Sequence, residues 1–488
     1  MALVATVQHF YTAAKKELAW LPWKRLPRLR RMIRSVLVAN RGEIACRIIR
    51  ACRAMGMHTV AVYSEADANA LHKVLADIAA PIGPAPAAQS YLDTNKVLAA
   101  AIEHGADAVH PGYGFLSESS AFARAVQAAG LVWIGPDPRT IAAMGDKEQA
   151  RRVAAESGVP VLPGSGCLDA EAPETWLAQA RAVGFPLLVK AVGGGGGIGM
   201  KRVDALAGLQ PTVESAQALA AKAFGRRDVY LERYVERARH VEIQVFGDGE
   251  GGAVHLFERE CSVQRRFQKI VEESPAPGLS PAVLERMANA AIALAAAQRY
   301  RGAGTVEFVV DARTEEFFFL EMNTRIQVEH AVTEMITGID LVQWQIRLAA
   351  GTATPFAQQD IRRDGAAIEC RLYAENPAKQ FLPSPGRLTT LRLPAPSARL
   401  RIDTGVREGD AVTPYYDPMI AKLIAHGPDR ASALRTMDAA LREVRIEGIA
   451  HNAVFLRAVL AHDEFAAGRI DTGFVERERA ALLGAVAA

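Results

Sequence analysis

Cysteine is scarce in this 488-residue chain, and the five present (Cys46, Cys52, Cys167, Cys261, Cys370) are scattered. No CxxC spacing occurs. That pattern excludes a disulfide scaffold and a Cys-based zinc site, and it fits a reducing cytoplasm. There is no run of the ~18 apolar residues that a membrane-spanning helix needs. An excess of one charge sign is lacking too: the formal net charge is +3, too small to imply a nucleic-acid partner. Residues 1–33 differ from everything after them. There Lys15, Lys16, Lys24, Arg25, Arg28, Arg30 and Arg31 face a single Glu17, with Trp20 and Trp23 between them. Without an apolar h-region this is no secretory signal. It reads as a disordered extension, an artefact of a start codon assigned upstream of Met32, or a basic surface-binding helix.

Half of the residues are hydrophobic and 23% are charged, an ordinary globular balance. The length suits roughly two to four domains. From Ser35 strands and helices alternate: SVLVAN, a helix ended by Gly56, HTVAVYS, a helix over Asn95–His104, ADAVHP, a helix through Gly130, and LVWIGP. Such alternation implies a parallel, doubly wound α/β sheet. Gly112 and Gly114 follow a strand's carboxyl end, where ligands bind such sheets, although a tight turn explains them equally well.

Five consecutive glycines, Gly193–Gly197, follow the strand FPLLVK, which ends in Lys190. Without Cβ atoms their N–H groups can approach an oxyanion. A flexible linker is the plainer alternative, but the apolar strand before them and Met200-Lys201-Arg202 after them favour a phosphate-covering loop. It lacks the GK[ST] of a Walker loop. HVEIQVFGD (240–248) alternates cleanly. Arg265, Arg266 and Lys269 form a basic cluster suited to phosphate or bicarbonate, or simply a solvated edge.

The most informative stretch is EMNTRIQVEH, residues 321–330. Read as extended chain, it puts Glu321, Asn323, Arg325, Gln327 and Glu329 on one face. A solvated amphipathic strand would show the same alternation. TVEFVVD (305–311) and EEFFFL (315–320) read as a hairpin whose turn lies near Thr314, which sets Glu307 opposite Glu321. Opposed carboxylates repel unless a cation lies between them. With Asn323 they offer the oxygen ligands that Mg²⁺ takes beside phosphates. Beyond a linker at 354–364, AAIECRLYAE opens a smaller mixed β/α tail.

Taken in order, VANRGEIA, HPGYGFLSE, MGDK, VKAVGGGGGIGM, RHVEIQV, CSVQRR, EESPAPG, FLEMNTRIQVEH, ECRLYAEN and YYDPMIAKL resemble the biotin carboxylase family of the ATP-grasp superfamily, from about Ser35 to the last helix. The resemblance implies an α/β ATP-grasp fold: an N-terminal doubly wound domain (34–145), an ATP-grasp domain (146–353) with a small lid at about 163–235, and a C-terminal tail domain (366–475). It implies ATP-dependent carboxylation of biotin on a separate carrier protein through carboxyphosphate, with Mg²⁺ or Mn²⁺. Lys147, Lys190, Gly195, Gly196 and Gly197 would hold ATP phosphates. Glu232 and Val235 would meet adenine, and His240 and Gln264 the ribose side. Glu307, Glu321 and Asn323 would hold the metal and thereby the ATP. Lys269, Arg325, Gln327 and Val328 would surround bicarbonate, with Glu329 as its base. Tyr113 and Arg371 would lie by biotin, Arg371 stabilising its enolate.

Two positions depart from the family pattern: Ile198 stands where the glycine loop commonly has Arg or Lys, and Phe267 where His is commoner. A non-catalytic assembly subunit and a different ATP-grasp ligase are the competing readings. Intact metal and bicarbonate residues weigh against the first, and Arg371 on ECRLYAEN against the second. A homodimer is expected, partnered by a biotin carboxyl carrier protein and carboxyltransferase subunits of an acetyl-CoA or other acyl-CoA carboxylase.

Overall fold

The structure is a computed structural model that describes residues 32–192, 200–352 and 357–487. The glycine loop, with Gly195, Gly196, Gly197 and Ile198, and residues 1–31 lie outside the described residues. The alternating N-terminal segments form a five-stranded parallel sheet. Its centre is Ser35–Val38, whose Val36, Leu37 and Val38 are fully buried, as an apolar strand covered on both faces must be. Helix Gly42–Ala54 follows it and buries Ile44, Ile48 and Ile49. A short edge strand, Ile78–Pro81, carries no clear alternation and was not legible in the sequence.

Four strands, Gly164–Cys167, Val229–Arg233, Leu187–Ala191 and Lys201–Val203, make a separate small sheet. Two helices, Glu174–Val183 and Leu209–Phe224, pack on it through Trp176, Val213 and their neighbours. The small layer therefore has an apolar core of its own.

The largest element is an eight-stranded antiparallel sheet. It runs Phe317–Asn323, Arg301–Asp311, Ala238–Asp248, Ala253–Arg265, Gln268–Ser274, Ala366–Tyr373, Met419–Gly427 and Leu400–Thr404. The tail's first strand pairs with Gln268–Ser274, so tail and centre share one sheet. The basic stretch at 265–269 is no solvated edge. It is the tight turn Arg266-Phe267 between two interior strands, both turn residues having positive φ.

The expected pair forms, Glu307 opposite Glu321, although the register shifts by one residue between Glu307 and Phe308, which pairs with Phe319. The extended reading of 321–330 does not hold throughout. The strand stops at Asn323, the chain bends, and a helix starts at His330. The polar face survives because the bend keeps Arg325, Gln327 and Glu329 turned into the same cleft as Glu321 and Asn323.

Candidate active site

Register alone places the acids. Glu242 pairs with Glu307, and Glu307 with Glu321, so three carboxylates form a row across three adjacent strands. Arg259, opposite Glu242 on the next strand, ends the row. Arg259 is fully buried and donates to Glu242 (2.6 Å), Gln244 (2.7 Å), Thr333 (2.9 Å), Thr305 (3.0 Å) and Gln327 (2.9 Å). A guanidinium with every contact satisfied can stay charged out of water.

Above the row sits Lys269. Its ammonium donates to Glu242 (2.6 Å), Glu307 (2.8 Å) and Glu329 (2.7 Å). Burial opposes the charge on Lys269, but the three carboxylates outweigh it and hold the group well above the usual lysine range. Burial likewise pushes Glu307 up, and Lys269 and His240 more than reverse that, leaving it well below the carboxylate range. Glu329 is also buried, and Lys269, Arg371 and Arg259 keep it ionised. Glu321 differs. Burial and the Glu307 charge raise it, with Lys147 the cation that opposes this most.

His240 faces Glu307 with its Nε2 at 3.0 Å, and its Nδ1 is 2.9 Å from Gln264 Nε2. Burial disfavours the imidazolium, but Glu307 raises His240 above its ordinary value. Asn323 and Gln327 donate to Glu307 at 3.0 and 2.7 Å. Arg325 binds Asn323 Oδ1 at 2.7 Å and Glu118 at 2.9 Å, tying the cleft to the HPGYGFLSE segment. In that segment Gly112 has φ +65°, and a Cβ there would stand 3.0 Å from the Asn40 amide, which binds the carbonyls of Pro111 and Tyr113. The turn points the Tyr113 hydroxyl at Glu43.

These side chains line one cleft of about 800 Å³ between the parallel sheet, the small layer and the large sheet. It gathers Tyr113, Lys147, Lys190, His240, Gln264 and Lys269. It also gathers Glu307, Glu321, Asn323, Arg325, Gln327, Val328, Glu329 and Arg371. Two sequence candidates fall outside its lining. Glu232 is 4% exposed, and its carboxylate is taken by Lys190 (2.5 Å) and Arg151. Val235 is a buried core residue. The Glu232 carboxylate steadies Lys190, whose charge it supports against burial. Glu242 and Arg259 were missed. The alternation of HVEIQV contains Glu242, but only the pairing with Glu307 shows that it joins the acid row.

Glu307, Glu321 and Asn323 fit a divalent cation. They are hard oxygen donors at the end of an acid row whose mutual repulsion a dication would offset.

Comparison with known proteins agrees with this architecture. Residues 32–141 match the family described as Biotin carboxylase, N-terminal domain. Residues 146–356 match Carbamoyl-phosphate synthase L chain, ATP binding domain, and 369–477 match Biotin carboxylase C-terminal domain. The chain is 46% identical to Biotin carboxylase 1 of Bacillus subtilis, covering 91% of this chain and 98% of that one. It is 49% identical to the mitochondrial methylcrotonoyl-CoA carboxylase subunit alpha of Dictyostelium discoideum, over 92% of this chain but 64% of that protein. The biotin carboxylase domain dimer of Hydrogenobacter thermophilus 2-oxoglutarate carboxylase, solved with MgADP, ADP and bicarbonate, superposes with a TM-score of 0.87 at 43% identity, covering 92% of this chain and 99% of that one. The fold and site are those of an ATP-dependent ligase. The chain belongs to the biotin carboxylase family, whose cofactors are ATP, Mg²⁺ and biotin. No helix among the described residues is long and apolar enough to cross a membrane.

Proposed function

We propose that this chain carboxylates biotin carried on a separate protein, as the biotin carboxylase subunit of an acyl-CoA carboxylase. The observation that carries the reading is the joining of Lys269, Glu329 and Arg371 to the acid row in one cleft. Lys147 and Lys190 supply fixed positive charge for ATP phosphates, and positioning with charge neutralisation is most of what phosphoryl transfer needs. Glu307, Glu321 and Asn323 would hold Mg²⁺ or Mn²⁺, which when bound neutralises phosphate charge.

Bicarbonate would enter among Lys269, Arg325, Gln327 and the Val328 main chain. An anion there competes for Lys269 and frees Glu329 from one of its cations. Glu329 then becomes a stronger base, at the moment when it must take the bicarbonate proton. Arg371, protonated at any working pH, would face the enolate of biotin, with Tyr113 beside it.

The carrier, the carboxyltransferase, a homodimeric state and a cytoplasmic location belong to this proposal. Its acyl-CoA acceptor is set by another polypeptide. Likeness to a methylcrotonoyl-CoA carboxylase subunit favours a short acyl-CoA other than acetyl-CoA. The test is ATP cleavage by the purified chain with Mg²⁺, bicarbonate and free biotin. Stimulation by biotin is expected, and a folded, metal-replete enzyme without it overturns the reading. Co-purification from source cells identifies the partners, and fractionation the compartment.

A further inference from the structure

Behind the cleft wall, two acids oppose each other inside the large sheet. Glu272 on Gln268–Ser274 pairs directly with Glu369 on Ala366–Tyr373. Both are 0% exposed. Neither Glu369 oxygen and only one Glu272 oxygen, the one that meets Arg371, has a partner among the described residues. Neither lines the cleft.

Opposed side chains in an antiparallel pair have Cβ atoms about 5 Å apart. Two unsolvated negative charges at that separation are costly, and carboxylates that share a site keep a proton. The charged groups around them come from every neighbouring element. Lys269 lies on the strand of Glu272, and Cys261 on the strand beside it. Arg371 and Tyr373 lie on the strand of Glu369, and Lys422 on the next strand, opposite Arg371. Glu329 stands at the start of the helix His330–Thr337 that packs over these strands.

The cations are not evenly shared. Lys422 is committed to the Val328 carbonyl at 2.7 Å and to Glu43 at 3.2 Å. Arg371 contacts Glu272 with the same Nη2 that stands 3.0 Å from Glu329. One guanidinium nitrogen is thus divided between the buried pair and the base.

We propose that Glu272 and Glu369 hold one proton between them, and that the ionised member, Glu272, draws Arg371 away from Glu329, so that both acids are positioning residues for the carboxylation site. The inference rests on the reading of Glu329 as base and Arg371 as enolate partner given above. Glu369, without a cation of its own, keeps the proton. Burial pushes Glu369 well above the carboxylate range and Glu272 up to about 7, even against Arg371. When Glu272 also takes a proton, Arg371 loses that anchor and falls fully onto Glu329, masking the base.

Two measurements on the full-length enzyme test this. Infrared spectroscopy of the wild type at neutral pH is expected to show the C=O stretch of a buried protonated carboxyl group that is lost in Glu369→Gln. Absence of that band in the folded wild type overturns the proposal whether or not the enzyme turns over biotin. At saturating bicarbonate, the wild-type kcat for biotin-dependent ATP cleavage is expected to fall as pH drops through about 7. In Glu272→Gln the inflection disappears, kcat on the alkaline side falls several-fold and the KM for ATP stays the same. An inflection retained in Glu272→Gln overturns the proposal. A wild type that binds ATP yet shows no biotin stimulation strikes instead at the function proposed for the cleft, and the infrared band still decides the state of the pair.

Discussion

The Lys422 ammonium donates to the main-chain carbonyl of Val328 at 2.7 Å. Lys422 is fully buried on a tail strand, whereas Val328 immediately precedes the proposed base. The same ammonium stands 3.2 Å from Glu43 on the first helix of the parallel sheet. One side chain thus ties three parts of the fold at the position that orients Glu329. Lys422→Met is expected to leave the Glu43 carboxylate without its cation and the Val328 carbonyl without this donor. Breaking a buried ion pair costs roughly 3–5 kcal/mol. The variant should melt several degrees lower and lose kcat more than ATP affinity, as read by calorimetry and steady-state kinetics.

Glu329→Gln keeps the shape and removes the charge. Its kcat should fall by roughly 10²-fold or more, the size of a general-base contribution, with nucleotide binding retained. Glu321→Gln should instead weaken metal-dependent nucleotide binding, because Glu321 lies at the end of the acid row proposed to hold the metal. Calorimetric ATP titrations with and without Mg²⁺ check the difference. Equal loss of affinity in both variants would show that base and metal ligand are not separate.

Phe267 lines the cleft from a tight turn, 65% exposed, with φ +65°. A phenyl ring cannot donate a hydrogen bond. Phe267→His is expected to tighten nucleotide binding by about 1 kcal/mol through one added hydrogen bond. An unchanged Kd means that the position does not face the nucleotide.

Three buried histidines give the stability a pH dependence. Burial depresses His72 to about 4 and both His110 and His330 to about 3. Unfolded, each would titrate near its ordinary value of about 6.5. Their stabilisation is therefore complete above about 6.5 and is lost as pH falls toward the folded values, because the unfolded chain binds protons first. The melting temperature should drop between pH 7 and pH 5. His72→Gln, which keeps a donor toward the Val62 carbonyl, should flatten that slope, and an unchanged slope would count against a neutral His72.

Much of this protein was set by local sequence. Alternation and apolar runs determine the parallel sheet, because each strand must bury Val, Leu and Ile on faces that only helices can cover. The short turn after Asp311 brings the two strands together, and a one-residue register shift between Glu307 and Phe308 completes the pairing of Glu307 with Glu321. Motif order determines the family. What tertiary structure decided is which charges meet. Glu242 joins the acids only because its strand lies beside Arg301–Asp311, and Glu272 meets Glu369 across nearly a hundred residues of chain. The Glu232 carboxylate turns to Lys190 from a neighbouring strand of the small sheet and to Arg151 from the helix Lys147–Glu156, a meeting that only the packing arranges. Burial and pairing are long-range properties, and they, rather than residue type, determine which carboxylates stay ionised.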